Sequence, residues 1–174
     1  MRRLADAGRI RSLLRRLGEA ARRESRIYLT GGATAVLVGW RDSTIDADLK
    51  VEGDEDAILR AIPAIKEALE INVELACPAD FIPELPGWRD RSPFVAREGK
   101  ADVFHYDPCA QALAKIERGH DRDLADVREM LARSLVNRAG LRDLFARIEP
   151  DLYRYPAIAP ARFRRAVDET LGAG

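Results

Sequence analysis

Asp46 and Asp48 stand two residues apart in the alternating run Asp46-Ala47-Asp48-Leu49-Lys50-Val51. On a β-strand, residues i and i+2 point to the same face, so this spacing sets two carboxylates side by side, about 7 Å apart at their Cα atoms. Such a pair is a mount for Mg²⁺, which is usually held by one or two acidic side chains together with the phosphates of a substrate. Upstream, Gly31-Gly32 follows the apolar stretch Ile27-Tyr28-Leu29 and precedes the helix-compatible run 33–38. Glycines at a strand-to-helix junction let a phosphate approach the backbone, and the helix N-terminus beyond them favours negative charge. A divalent cation and a polyphosphate are the ligands that suit this segment. Thr44, just ahead of the aspartates, is placed to hydrogen-bond phosphate oxygens, and the alternative is that Arg41 and Thr44 are ordinary loop residues.

A two-metal phosphoryl-transfer site calls for a third carboxylate. Glu74 is the first candidate, because it sits between apolar Val73 and Leu75, where a buried charge would be costly without a partner. Asp102 is the rival, on a later segment with the same local pattern. A second constellation gathers Lys115 with Asp121, Asp123 and Asp126. On a helix over 108–118, Lys115 projects a flexible ammonium able to neutralise a triphosphate; the structural alternative is that Asp121 or Asp123 caps the next helix and Lys115 lies on the surface. His105 and His120 have no second histidine at ligand spacing, so His105 reads as a locally hydrogen-bonded strand residue. Trp40 and Trp88 read as core residues before base-stacking ones, and Arg89, Asp90 and Arg91 are loop residues within reach of a substrate.

Two glycines, thirteen intervening residues and then Asp-x-Asp in a strand form a pattern that resembles the minimal nucleotidyltransferases of the DNA polymerase beta superfamily. Within it the chain is most similar to the nucleotidyltransferase-like families related to the AbiEii and MenT toxins. The matching segments are 28–32, 41–48, 71–75, 114–118 and 123–126, so the likeness spans roughly residues 27 to 130. The resemblance implies a nucleotidyltransferase fold of the α/β (α+β) class, with a short mixed sheet flanked by helices and a helical C-terminal part. It implies transfer of a nucleoside monophosphate from a nucleoside triphosphate (NTP) to an acceptor hydroxyl, with two Mg²⁺ ions. Asp46, Asp48 and Glu74 would be catalytic and metal-binding, Gly31, Gly32, Arg41 and Thr44 nucleotide-binding, and Lys115 and Asp123 catalytic, with Asp126 the next acidic position. It also implies the 3′ end of tRNA as acceptor, toxin activity and a cognate antitoxin as partner. A small-molecule or protein acceptor, or a nucleotide-binding module without turnover, are the alternatives.

The elements that must position these residues alternate along the chain. Periodicity predicts a helix over 3–23, a strand at 26–30, a helix at 32–40 and a strand at 45–51. A helix opening at Asp54-Glu55-Asp56 and kinked or restarted at Pro63 leads to a strand at 71–76. Five residues from the set Pro and Gly punctuate 77–93, which reads as a loop at the site entrance. Residues 94–97 and 101–106 flank Glu98-Gly99-Lys100 as a hairpin, and everything from Pro108 onward is helical in pattern. The expected division is a core over 1–107 and a helical extension over 108–174, packed as one structural domain.

With 174 residues, 47% of them apolar, the chain is long enough for a globular core and not disordered. The 29 basic and 29 acidic residues cancel, so net charge gives no support for a nucleic-acid partner. Arginines do cluster, at positions 2, 3, 9, 11, 15, 16, 22 and 23 and again at 162, 164 and 165. They read first as the solvated face of an amphipathic helix whose buried stripe is Leu4, Ile10, Leu13, Leu14 and Leu17. Cys77 and Cys109 lack CxxC spacing, which argues against a zinc site or a disulfide framework. No apolar run reaches the length of a signal peptide or a membrane span, and the expected compartment is the cytoplasm, with no membrane partner.

Overall fold

The computed structural model of the protein describes residues 3–172, and Arg2 of the arginine group lies outside them. The chain divides into two compact units, one running through Cys77 and resuming at Ser92–Tyr106, the other made of Pro78–Arg91 and the chain from Asp107 onward. The class is α+β, with a five-stranded mixed sheet, flanking helices and a helical C-terminal part. No described helix is long and apolar enough to cross a membrane.

The first unit contains α1 (Ala7–Ala20), β1 (Ser25–Thr30), α2 (Gly31–Val38), β2 (Asp46–Glu52), α3 (Glu55–Leu69), β3 (Asn72–Leu75), β4 (Phe94–Glu98) and β5 (Ala101–His105). The sheet order is β3-β2-β1-β5-β4, with β1 at its centre. β2 lies antiparallel to β1 and parallel to β3, while β5 lies parallel to β1 and antiparallel to β4. Period-two alternation divides the sheet into two faces. Ile27, Leu29, Ala47, Leu49, Val51, Val73, Ala101 and Val103 turn to one of them and join Ile10, Leu13, Leu14 and Leu17 of α1 and Ile58, Ile62 and Ile65 of α3 in a single apolar core. Strand β2 is the clearest case, because Ala47, Leu49 and Val51 are buried while Asp46, Asp48, Lys50 and Glu52 are only half-buried on the other face.

Helix α1 is shorter than its periodicity predicts. Asp6 is its N-cap and accepts from the Arg9 amide at 2.9 Å, so the preceding segment is extended. Ala5 exchanges backbone hydrogen bonds with Thr44, at 2.7 and 2.9 Å. Leu4 therefore leaves the buried stripe and is 60% exposed, whereas Ile10, Leu13, Leu14 and Leu17 remain in it. At the other end the amides of Arg22 and Arg23 donate to the Asp54 carboxylate, which these bonds, led by that from Arg22, hold below its ordinary range. Asp54 thus clamps the α1–β1 loop as well as standing at the start of α3. Helix α3 runs through Pro63 as one helix.

The second unit contains a 3₁₀ turn at Pro78–Asp80, α4 (Pro108–Arg118), α5 (Asp121–Ala132), α6 (Arg138–Ile148), a 3₁₀ helix at Glu149–Arg154 and α7 (Pro160–Leu171). Helix α4 is its axis, with every residue from Ala110 to Ile116 buried. Phe145 of α6 meets Phe163 of α7 edge-on at 4.9 Å. The loop expected over 77–93 is irregular apart from its 3₁₀ turn, and its residues 78–91 pack into this unit. Ile82, Leu85 and Trp88 are buried, and the Tyr155 hydroxyl donates to the Ala79 carbonyl.

Candidate active site

The carboxylates stand on the sheet face that the core does not use. Asp46 and Asp48 occupy the start of β2, and in register Thr30 faces Asp48 across β1, while Asn72 and Glu74 of β3 face Asp46 and Asp48. Parallel pairing puts facing residues on the same side of the sheet, so Asp46, Asp48, Asn72 and Glu74 form one polar patch. Asn72 is the member that sequence reasoning missed: its amide nitrogen donates to Asp46 Oδ1 and, at 3.4 Å, to Glu74 Oε1. Its position two before Glu74 was visible, but its partnership with Asp46 depends on a pairing between strands that no local pattern specifies.

Glu74 is not buried between its apolar neighbours. Strand β3 is a sheet edge of four residues in which Val73 is buried and Glu74 and Leu75 are exposed, so no burial penalty demands a partner for Glu74. What favours Glu74 over Asp102 is register. Glu74 faces Asp48, whereas Asp102 faces Arg26, four residues along β1 from Thr30, and is ion-paired with Arg97 at 2.9 Å. That far end of the face holds a polar recess of about 340 Å³ lined by Glu24, Ser25, Arg26, Glu52, Gly53 and Asp102. Arg97 spans two of its three acids, reaching Glu24 at 2.6 Å, and the recess is remote from the aspartate pair.

The glycine turn fits against Asp48. Gly31 adopts φ +60°, and a Cβ built on it would lie 2.7 Å from Asp48 Oδ2. Only glycine lets the start of α2 come this close to the carboxylate. A Cβ on Gly32 would overlap the Thr44 side chain, 2.7 Å from its Cβ. Thr44 is buried and its hydroxyl donates to the Asp46 carbonyl at 3.0 Å, so it joins the α2 turn to the head of the aspartate strand instead of pointing at solvent. Thr30, the α2 N-cap residue, makes no capping bond with its side chain. Arg41 is half-buried in the loop between α2 and β2.

Among the described residues no three His, Cys, Asp or Glu side chains are gathered as a ready metal-binding group. The donor set still suits Mg²⁺ in the manner that needs only one or two carboxylates, with substrate phosphates completing the shell. Asp46 and Asp48 supply those two, and Glu74 is tied to them through Asn72.

Lys115, Asp123 and Asp126 come together inside the second unit. Lys115 Nζ is 2.7 Å from Asp126 Oδ2 and 3.5 Å from Asp123 Oδ1, and Arg118 donates to both Asp123 oxygens at 3.0 Å. Lys115, Asp123 and Asp126 are buried while Arg118 covers Asp123 from the surface, half exposed, and the two cations and two anions join α4 to α5. Lys115 is not a surface residue, and neither Asp121 nor Asp123 is the α5 cap, a position taken by His120. Nearby, Arg91 is held by Asp107 at 2.6 Å and by the Pro86 carbonyl at 2.8 Å. Burial, reinforced by Asp107, pushes the Cys109 thiol up to about 11, and neither Cys77 nor Cys109 is in a disulfide. Trp88 is buried with the Arg89 guanidinium over its ring, and Trp40 is half-buried.

His105 turns to the core face of β5, and its Nδ1 lies 3.1 Å from the Thr34 hydroxyl on α2, a long-range partner and not a local one. The Thr34 hydroxyl donates to the Leu29 carbonyl, which leaves its oxygen to accept from His105 Nδ1. Burial lowers its pKa to about 4. Other arginines of the two clusters are engaged within the chain, Arg3 with Glu70, Arg9 with the Leu69 carbonyl, Arg162 with Glu117 and Arg164 with Glu149. No family model, curated protein or solved structure matches the chain.

Proposed function

We propose that the protein is a metal-dependent nucleotidyltransferase, moving a nucleoside monophosphate from an NTP to an acceptor hydroxyl. The observation that carries this reading is the seating of Asp48 against Gly31, with Asp46 beside it and Glu74 facing it in register. It brings acidic ligands and the amino end of a helix to one place, which is what a cation-bound polyphosphate requires. Asp46 and Asp48 would hold Mg²⁺, with Glu74 as the third acid. When bound, the metal would neutralise phosphate charge and lower the pKa of the acceptor hydroxyl.

The chain's own residues do the rest. Gly31 and Gly32 allow the triphosphate to lie along the start of α2, whose dipole favours its charge. Thr44 fixes the turn to Asp46, and Asn72 orients the Asp46 and Glu74 carboxylates. The acceptor oxygen bonds to the α-phosphorus, the bond to the bridging oxygen breaks, pyrophosphate leaves and the hydroxyl proton passes to solvent. By the resemblance drawn from sequence, the acceptor to try first is the 3′ end of tRNA, with a toxin role and an antitoxin partner following from it. Lys115 and Asp123 enter as catalytic residues on that resemblance alone.

The test is incubation of the protein with Mg²⁺, each labelled NTP in turn and total tRNA, beside Asp46→Ala and Asp48→Ala. Label should reach an acceptor with the unaltered protein and fall by at least a hundredfold in both variants, whose melting temperatures should stay near the parent's. Transfer that survives both substitutions would overturn the assignment. Label on protein in place of tRNA would redirect the acceptor.

A further inference from the structure

Face-to-face registers lay the polar side of the sheet out in rows. One row runs Thr30, Asp48, Glu74; the next, one residue pair farther from the glycine turn, runs Phe94, Phe104, Tyr28, Lys50 across β4, β5, β1 and β2. Its aromatic members touch. Phe104 stacks on Tyr28 with centroids 5.4 Å apart at 24°, and Phe94 meets Phe104 edge-on at 5.7 Å and 78°. Burial falls along the row, from Tyr28 at 1% exposed to Phe94 at 61% on the outer strand. A single exposed phenylalanine is ordinary, but this one ends a stacked row that starts beside the carboxylates with a half-buried lysine.

We propose that Lys50, Phe104 and Phe94 form a subsite for the single-stranded end of a polynucleotide acceptor, Lys50 taking a backbone phosphate and the two phenylalanines a base. The inference rests on the nucleotidyl-transfer reading of the neighbouring carboxylates. Its direction follows from the layout. The triphosphate lies toward Gly31, on one side of Asp48, and Lys50 lies on the other. An NTP has no phosphate beyond its α-phosphorus on that side, whereas a polynucleotide has one at every nucleotide. With strands about 4.8 Å apart and about 7 Å between same-face residues, Phe104 is roughly 12 Å from Asp48 at Cα, and a nucleotide joining the two must arch over the covered ring of Tyr28. Strand β4 is the sheet edge, so a chain seated there continues into solvent. Stacking reads a π-face common to all bases, so the subsite is tolerant of sequence.

The experiment titrates the full chain into short single-stranded RNA ending in 2-aminopurine, whose fluorescence is quenched on stacking, and assays NTP binding and transfer on the same preparations. Phe94→Ala should weaken RNA binding by roughly five- to hundredfold and abolish the quench, Phe94→Trp should restore both, and NTP affinity should not change. Lys50→Gln should reduce the slope of log Kd against log salt by about 0.7. Phe94 is exposed, so these changes leave the core intact. Absence of RNA binding by the unaltered protein, or equal binding and quenching by Phe94→Ala, would overturn the proposal. So would a fall in NTP affinity with RNA binding unchanged, which would give the row to the nucleotide's own base. Transfer that persists with Phe94→Ala indistinguishable removes the subsite alone, whereas quenching that depends on Phe94 without any transfer keeps the subsite and removes the transferase reading.

Discussion

Gly31 and Lys115 are the two positions where one atom more or one charge less has the clearest consequence. At Gly31, alanine would place a methyl carbon 2.7 Å from Asp48 Oδ2 on a backbone at φ +60°, so the turn and the carboxylate cannot both keep their places. We expect Gly31→Ala to lower NTP affinity and transfer at least tenfold while costing only about 1–2 kcal/mol of stability, checked by isothermal titration beside thermal unfolding. Lys115 sits between two buried aspartates. Lys115→Met leaves those carboxylates short of a cation and should cost about 3–5 kcal/mol in urea unfolding, with Asp126→Leu added to it restoring part of the loss. Sequence made Asp46 and Asp48 legible because their common face follows from period two alone. Asn72 and the Arg118–Asp123 pair stayed hidden, since each owes its role to a neighbour set by register or by packing between helices.

Two elements meet closely where α1 crosses the β4–β5 turn. A Cβ on Gly18 would lie 2.7 Å from Glu98 Cβ and 2.5 Å from its carbonyl carbon, and one on Gly99, at φ +57°, would lie 2.5 Å from the Gly18 carbonyl oxygen. In an open helix, glycine to alanine gains up to about 1 kcal/mol. Here the sign should reverse, with Gly18→Ala losing about 1–3 kcal/mol in chemical denaturation because the hairpin must move. The strands themselves were readable: alternation located β1 and β2, and Gly99 marked the hairpin turn. Boundaries were less so. The α1 periodicity continued in sequence past Asp6, but the cap bond and the Ala5–Thr44 pairing end the helix there. Proline and glycine content made the irregular backbone of 77–93 legible but not its packing, which comes from Ile82, Leu85 and Trp88.

For the molecule as a whole, acidity is the condition to vary. His105 is neutral in the fold and its pKa is lowered by burial from 6.5 to about 4. Above pH 6.5 the ring is neutral folded or unfolded and contributes nothing to pH dependence. As pH falls from 6.5 toward 4 the unfolded chain binds a proton that the folded one refuses, so stability drops, by up to about 3 kcal/mol over that window. His105→Gln should flatten this part of a stability–pH profile measured by urea unfolding; an unchanged slope would place the loss elsewhere. Asp54, whose carboxyl is held below 3.8, adds its own loss only as pH falls below that value.

The parallel pairing of β1 with β5 also governs the order of assembly. β2 and β3 follow β1 closely in the chain, so the flank bearing the aspartates can form while synthesis continues. The opposite flank waits for Ala101–His105, beyond a stretch, Pro78–Arg91, that belongs to the other unit. Closing so long a loop is entropically late. Until it closes, one edge of the most buried strand in the sheet is an open template for any passing β-segment. The nascent chain therefore acquires its carboxylate patch early and its protection from aggregation late.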